Sequence, residues 1–180
     1  MNKKSKIFIA IFFSIILIPV IIIGIINYKK EQELNDRIEN SKTTKTLSVN
    51  NISSSITLDE LFEIETSKEY SIKEDISVDN EKIKKVIYTN VSIYGAKCEK
   101  EYVFYNDNLG FCIITIDTSH WMPKDIFTEL NNINNEPDNS SLKEDELGSD
   151  IYYWYGKNGT IIYTDDNISN TIEIVFEINK

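Results

Sequence analysis

Apolar and polar residues follow one another with three different rhythms along this 180-residue chain, and each rhythm predicts a different element. The first is an unbroken apolar run. From Ile7 to Ile26, IFIAIFFSIILIPVIIIGII holds no charged side chain, and sixteen of its twenty residues are Ile, Leu, Val or Phe. As a helix it is about 30 Å long, the thickness of a bilayer's hydrocarbon layer. The insertion preferences of those side chains sum to about −5 to −10 kcal/mol. A signal peptide has a shorter apolar core, about 7 to 15 residues, ending in small residues, whereas this run leads into Asn27-Tyr28. The expectation is an uncleaved transmembrane helix over 7–27, a signal-anchor, kinked at Pro19 and preceded by a short basic tail over 1–6. Lys3, Lys4 and Lys6 precede the span and Lys29, Lys30 and Arg37 follow it, so positive charge nearly balances. A brief tail before a long C-terminal part places the N-terminus in the cytoplasm and the remainder outside the cell membrane.

The second rhythm is helical. Residues 28–40 can extend the membrane helix, with Leu34 and Ile38 four apart on one face. Residues 41–56 then turn to Ser, Thr, Asn and Lys and read as a flexible linker. Thr57-Leu-Asp-Glu60 has the form of a capping box, Thr57 at the cap and Glu60 reaching back from the third helical position. Leu58, Leu61 and Phe62 follow at helical spacing. A second helix is predicted from Pro123, a residue suited to the first helical position, with Ile126, Phe127, Leu130 and Ile133 as its stripe.

The third rhythm has period two and predicts strands. They fall at about 83–94, 97–105, 110–118, 151–155, 160–164 and 171–178. In the last, Ile172, Ile174, Phe176 and Ile178 alternate with Glu173, Val175 and Glu177, as in a half-buried antiparallel strand. Residues 70–80 are ambiguous, and 134–150 read as a polar loop. The result is one α+β domain over 57–180, ordered helix, three strands, helix, three strands, with an antiparallel sheet.

In element order and in the hairpin YYWYGKNGTIIY, the domain resembles the tandem helix-plus-antiparallel-sheet modules of β-lactamase-inhibitor-type proteins and related bacterial envelope proteins. The resemblance covers 57–180 and has no diagnostic motif. It implies a concave sheet face that binds another protein, and it assigns no functional residue.

Charge sharpens the picture. All 29 acidic residues lie after the apolar run against 16 basic ones, a net of −13. Such a domain is repelled by phosphate polymers, which disfavours nucleic acid, and it favours a cationic protein surface. The bilayer, met through the run from Ile7 to Ile26, is the other expected partner.

No residue pattern carries chemistry with specificity. Cys98 and Cys112 share one predicted hairpin. With its turn centred on Asp107-Asn108, Cys112 faces Val103 and Cys98 faces Asp117, about five residues out of register for a disulfide. Both read as core fillers. His120 is the only histidine and precedes the Pro123 helix beside Trp121. No zinc-ligand spacing surrounds it, so no metal or cofactor is expected. The acidic stretches Lys143-Glu-Asp-Glu146 with Asp150, and Asp165-Asp166-Asn167, fit no calcium loop and read as solvated. Tyr152, Tyr153, Trp154 and Tyr155 are the preferred binding residues, because alternation sends Tyr152 and Trp154 to one face and Tyr153 and Tyr155 to the other, and exposed Tyr and Trp anchor partners. The expected function is a membrane-anchored protein whose acidic extracytoplasmic domain binds a protein or peptide, not an enzyme. The alternative is a tethered hydrolase using carboxylates or Cys112 with His120.

Overall fold

Tight turns set the architecture. Tyr94-Gly95 and Asn106-Asp107 each take two consecutive positive φ values, 49° and 83° in the first, 49° and 66° in the second. That geometry matches the twist of a two-stranded hairpin. In the computed structural model, which describes residues 3–76, 81–118, 123–142, 149–166 and 168–179, these turns fold β2 (Lys82–Ile93), β3 (Ala96–Tyr105) and β4 (Asn108–Asp117) into a meander. β1 (Tyr70–Ile76) lies on its outer edge. A second meander follows: β5 (Asn139–Leu142), β6 (Ser149–Gly156), β7 (Gly159–Asp166) and β8 (Thr171–Ile178). The two join where β4 pairs antiparallel with β8, giving one eight-stranded antiparallel sheet of order β1-β2-β3-β4-β8-β7-β6-β5. Three helices complete the α+β fold among the described residues: α1 (Lys3–Thr44), α2 (Leu58–Ile64) and α3 (Pro123–Asn134).

The chain divides into two compact units, Met1–Arg37 and Ile38–Lys180. In the first, α1 has Pro19 inside it, and the large apolar residues from Ile18 to Ile26 are each exposed by 47–64%. Among the described residues no helix is long and apolar enough to cross a membrane.

In the second unit α2 starts as its sequence predicts. The Thr57 amide donates to Glu60 Oε2 (2.7 Å), and the Glu60 amide donates to Thr57 Oγ1 (3.4 Å). Leu61 of α2 and Ile126 and Leu130 of α3 are buried against one face of the sheet. That face supplies Val86, Tyr88, Tyr102, Phe104, Cys112, Ile114, Trp154, Ile161, Tyr163, Ile174 and Phe176.

The order is therefore helix, four strands, helix, four strands, a correction to three and three. β1 escapes the alternation signal because it is an edge strand, with Tyr70 44% and Ile72 43% exposed, so neither face has to be apolar. β5 (Asn-Ser-Ser-Leu) has one apolar residue and is a strand through pairing with β6. The β3–β4 register also moves by one residue. The turn is Asn106-Asp107, which shifts the pairing by two, and a bulge next to Val103 returns one, so Cys112 faces Tyr102 and Cys98 faces Ile116. Both cysteines are buried and free.

The largest difference concerns residues 41–56, read from sequence as a flexible linker. Leu47 and Val49 are fully buried and Ile52 is 1% exposed. These residues form a strap across the core whose backbone is satisfied by distant side chains. Asn158 accepts from the Leu47 amide and donates to the Leu47 carbonyl, both at 2.8 Å. Asn134 does the same for Ser48, at 2.8 and 3.0 Å. Buried Asp138 accepts from Ser41 Oγ and Lys45 Nζ, each at 2.6 Å, and from the Tyr155 amide at 2.9 Å. Further on, Asn50-Asn51 turn with φ of 51° and 65°, and the Leu109 amide donates to the Ile56 carbonyl at 2.9 Å. Gly156 is where strap and sheet touch, since a Cβ there would sit 2.6 Å from Leu47 Cγ.

Leu47→Ala is predicted to lower the unfolding free energy by about 2–5 kcal/mol, measured by denaturant titration. A loss under about 0.5 kcal/mol, normal for an exposed position, would return the segment to a linker.

Candidate functional site: the second face of the sheet

Alternation along each strand leaves a second set of side chains on the opposite face, and the register lines them up in rows. One row reads Ser71, Ile87, Glu101, Ile113, Val175, Ile162, Tyr153 and Asn139, each paired with the next across β1, β2, β3, β4, β8, β7, β6 and β5. Four consecutive members, Ile113, Val175, Ile162 and Tyr153, are apolar or aromatic. The next row contains Val103, Phe111, Glu177, Thr160 and Tyr155, and the row on the other side Glu99, Thr115, Glu173, Thr164 and Ile151. Phe111, Ile113, Val175, Ile162, Ile151, Tyr153 and Tyr155 are all half-buried. None joins the hydrophobic core cluster, which is drawn from the other face.

On β4, β8, β7 and β6 this face carries carboxylates at Asp117, Asp166, Glu173 and Glu177, and no Lys or Arg occupies it on those strands. Basic residues reach the face on β1 to β3. There Lys85 is in contact with Glu101 (2.7 Å), and this partner raises its pKa. The surface is an apolar ladder with an acidic border.

At one end of the ladder lies a pocket of ≈ 330 Å³ lined by Glu81, Tyr105, Gly110, Phe111, Glu177, Ile178 and Asn179. Its shape follows from a β-bulge. Val103 pairs with Phe111 and Phe104 with Leu109, so Gly110 is the extra, unpaired residue and re-aims its neighbours. Tyr105 and Phe111 meet edge to face at 6.1 Å. A Cβ on Gly110 would stand 2.7 Å from the Tyr105 ring, so only glycine leaves the ring where it is.

The tyrosine-tryptophan quartet divides between the faces. Trp154 is fully buried and its indole N–H donates to the Asn135 carbonyl at 2.8 Å. Phe127 of α3 packs on Tyr152 (4.5 Å between centroids), Tyr163 (5.5 Å) and Trp154 (5.8 Å). Tyr153 and Tyr155 stand on the ladder face with rings parallel to within 5° at 6.3 Å. Lys42 lies over the Tyr155 ring at 5.8 Å.

Chemistry at sulfur is disfavoured by burial. It pushes the Cys112 thiol up to about 12 and the Cys98 thiol to about 11, which removes the thiolate a nucleophile requires. His120, Trp121, Asn167 and the stretch 143–146 lie outside the described residues. Among the described residues no group of three or more His, Cys, Asp or Glu could hold a metal ion. A second polar cluster, invisible in the sequence, joins α2, the strap and β3. Buried Lys100 donates to Glu65 at 3.2 Å, Asn50 Nδ2 donates to Glu65 at 2.9 Å, and the Tyr102 hydroxyl donates to the same carboxylate. Burial, followed by the charges of Cys112 and Glu65, raises the Tyr102 hydroxyl far above its ordinary value and keeps it a donor. This is an internal staple in which the charges satisfy one another.

No family model matches the sequence, and no curated protein or solved structure gives a significant match.

Asp165 faces Asp150 across β6 and β7. Burial first, then the Asp150 and Asp166 carboxylates, raises its pKa. A carboxyl that holds its proton more tightly folded than unfolded destabilises the fold when it ionises. The penalty is present at neutral pH and vanishes as pH falls below the unfolded value. Asp165→Asn is therefore predicted to raise Tm near pH 7 and to leave it unchanged near pH 3. An equal shift at both would assign the effect to packing.

Proposed function

We propose that the chain is a single-pass membrane protein whose acidic extracytoplasmic domain binds a protein or peptide partner through the sheet face opposite the core. The observation that carries the reading is the row Ile113, Val175, Ile162 and Tyr153, apolar side chains aligned across four strands outside the hydrophobic core cluster. Aligned apolar surface with a polar border is the usual sign of an interaction site. Tyr153 and Tyr155 extend it with the stacked, amphipathic rings that favour contact positions. The carboxylate border selects a cationic partner surface and disfavours phosphate-rich ones.

Membrane attachment is supported by the sequence run from Ile7 to Ile26. It is also supported by the exposure of Ile18, Val20, Ile21, Ile22, Ile23, Ile25 and Ile26, which leaves the stretch 18–26 of α1 apolar all round rather than on one stripe. Such a helix needs either a protein core or lipid. Under this reading full-length protein stays with membranes after alkaline carbonate extraction, and deletion of 7–26 releases it. Release of the intact chain would remove the anchor.

A photo-crosslinking residue at position 162 in native membranes is predicted to give a discrete adduct with another polypeptide. The same residue at position 168, which is 68% exposed in the turn before β8, gives none. Identical products from both positions, or none from 162, would overturn the proposed face.

A further inference from the structure

We infer that the pocket at the end of the ladder receives an arginine or lysine side chain of the bound polypeptide. This deepens the proposed function and rests on it. The lining supplies two groups that a cation seeks together. Tyr105 and Phe111 present aromatic surface, whose negative π-face attracts ammonium and guanidinium groups. Glu81 and Glu177 add carboxylates, and among the described lining residues none is basic. Lys85, on the same face, is in contact with Glu101 at 2.7 Å, and Lys84 with Asp107 at 3.4 Å. At ≈ 330 Å³ the pocket is large enough for a long side chain and its water.

Gly110 makes the pocket a built feature. It occupies the bulge position, and any larger residue would displace the Tyr105 ring that forms one wall.

Continuity with the ladder makes the occupant a polypeptide side chain and not a free amine. Phe111 and Glu177 are directly paired across β4 and β8, and two residues along those strands stand Ile113 and Val175, also directly paired. A chain lying on the ladder thus brings its next side chain over the pocket at ordinary strand spacing. The aromatic walls hold the stem of that side chain while the carboxylates hold its head, the arrangement long cationic residues favour.

The test uses the full chain in nonionic detergent micelles and fluorescence anisotropy of a labelled heptapeptide of alternating Val and Thr with a central Arg. The comparison is the same peptide with central Gln, with methylguanidinium as free competitor. The Arg peptide is expected to bind about tenfold more tightly than the Gln peptide. Glu177→Gln and Phe111→Ala should each reduce that ratio about fivefold, and Gly110→Ala should do so by moving Tyr105. The conservative, exposed Glu177→Gln keeps the test valid should either of the other two variants misfold. Val175→Asp should weaken both peptides equally. Equal binding of the two peptides, or an unchanged ratio in Glu177→Gln, would overturn the pocket's role. So would competition by methylguanidinium at the Arg peptide's own affinity. If neither peptide binds while crosslinking from position 162 persists, the partner face stands and the cation pocket is refuted. If that crosslink is also absent, the face itself fails.

Discussion

The domain depends on a strap that pairs its own backbone at one bridge, Val49 with Ile52 at 2.9 Å in each direction, and relies on distant side chains for the amides and carbonyls before it. A buried peptide group without a partner costs several times what a formed hydrogen bond contributes, so residues 45–56 can cross the core only where something pairs their amides and carbonyls. Asn134 and Asn158 each offer a donor and an acceptor and stand in for a neighbouring strand against Ser48 and Leu47. Asp138 gathers Ser41, Lys45 and the Tyr155 amide at one anionic point. With those contacts made, Leu47, Val49 and Ile52 complete a core that α2 and α3 alone would leave short of cover.

That choice of face has a functional consequence. α2, α3 and the strap converge on one side of the sheet, and the core cluster takes no side chain from the other. Yet β4 and β7 are apolar in both parities: Cys112 and Ile114 point to the core while Phe111 and Ile113 do not, and Ile161 is buried while Ile162 is half-buried. A sheet that needed only one dry face would carry polar residues at those positions. The surplus apolar side chains sit in register, bordered by carboxylates, with a bulge at one end that opens a pocket between two rings. Each feature is local and inexpensive in stability, and together they are the ground for the partner face proposed above.

Much of this was legible in the sequence where the determinants are close together. The capping box at Thr57 and Glu60, the helix opening at Pro123 and the alternation of β8 involve residues a few positions apart. The misses share a different cause. Strap contacts join residues 86 and 111 positions apart, and its apolar residues, scattered among Ser, Asn and Thr, show no period. β5 is a strand because β6 lies beside it, and β1 lacks a clear pattern because its edge faces solvent. Positive φ at Asn106 and Asp107 centres the turn one position earlier than composition suggests, which moves the pairing by two residues, and the bulge at Gly110 returns one, so the register beyond it differs by one. Alternation within YYWY divided the quartet correctly between two faces, but which pair went inward depended on Phe127 of α3.

Hydrogen–deuterium exchange on the full chain tests the strap most directly, because it reads the backbone groups on which the account relies. The amides of Leu47, Ser48, Val49 and Ile52 are predicted to exchange as slowly as those of β4 and β8, opening only with the whole domain. Exchange of those four amides at the rate of an unprotected chain, with β4 and β8 still protected, would show that the segment is not part of the core and would contradict the account.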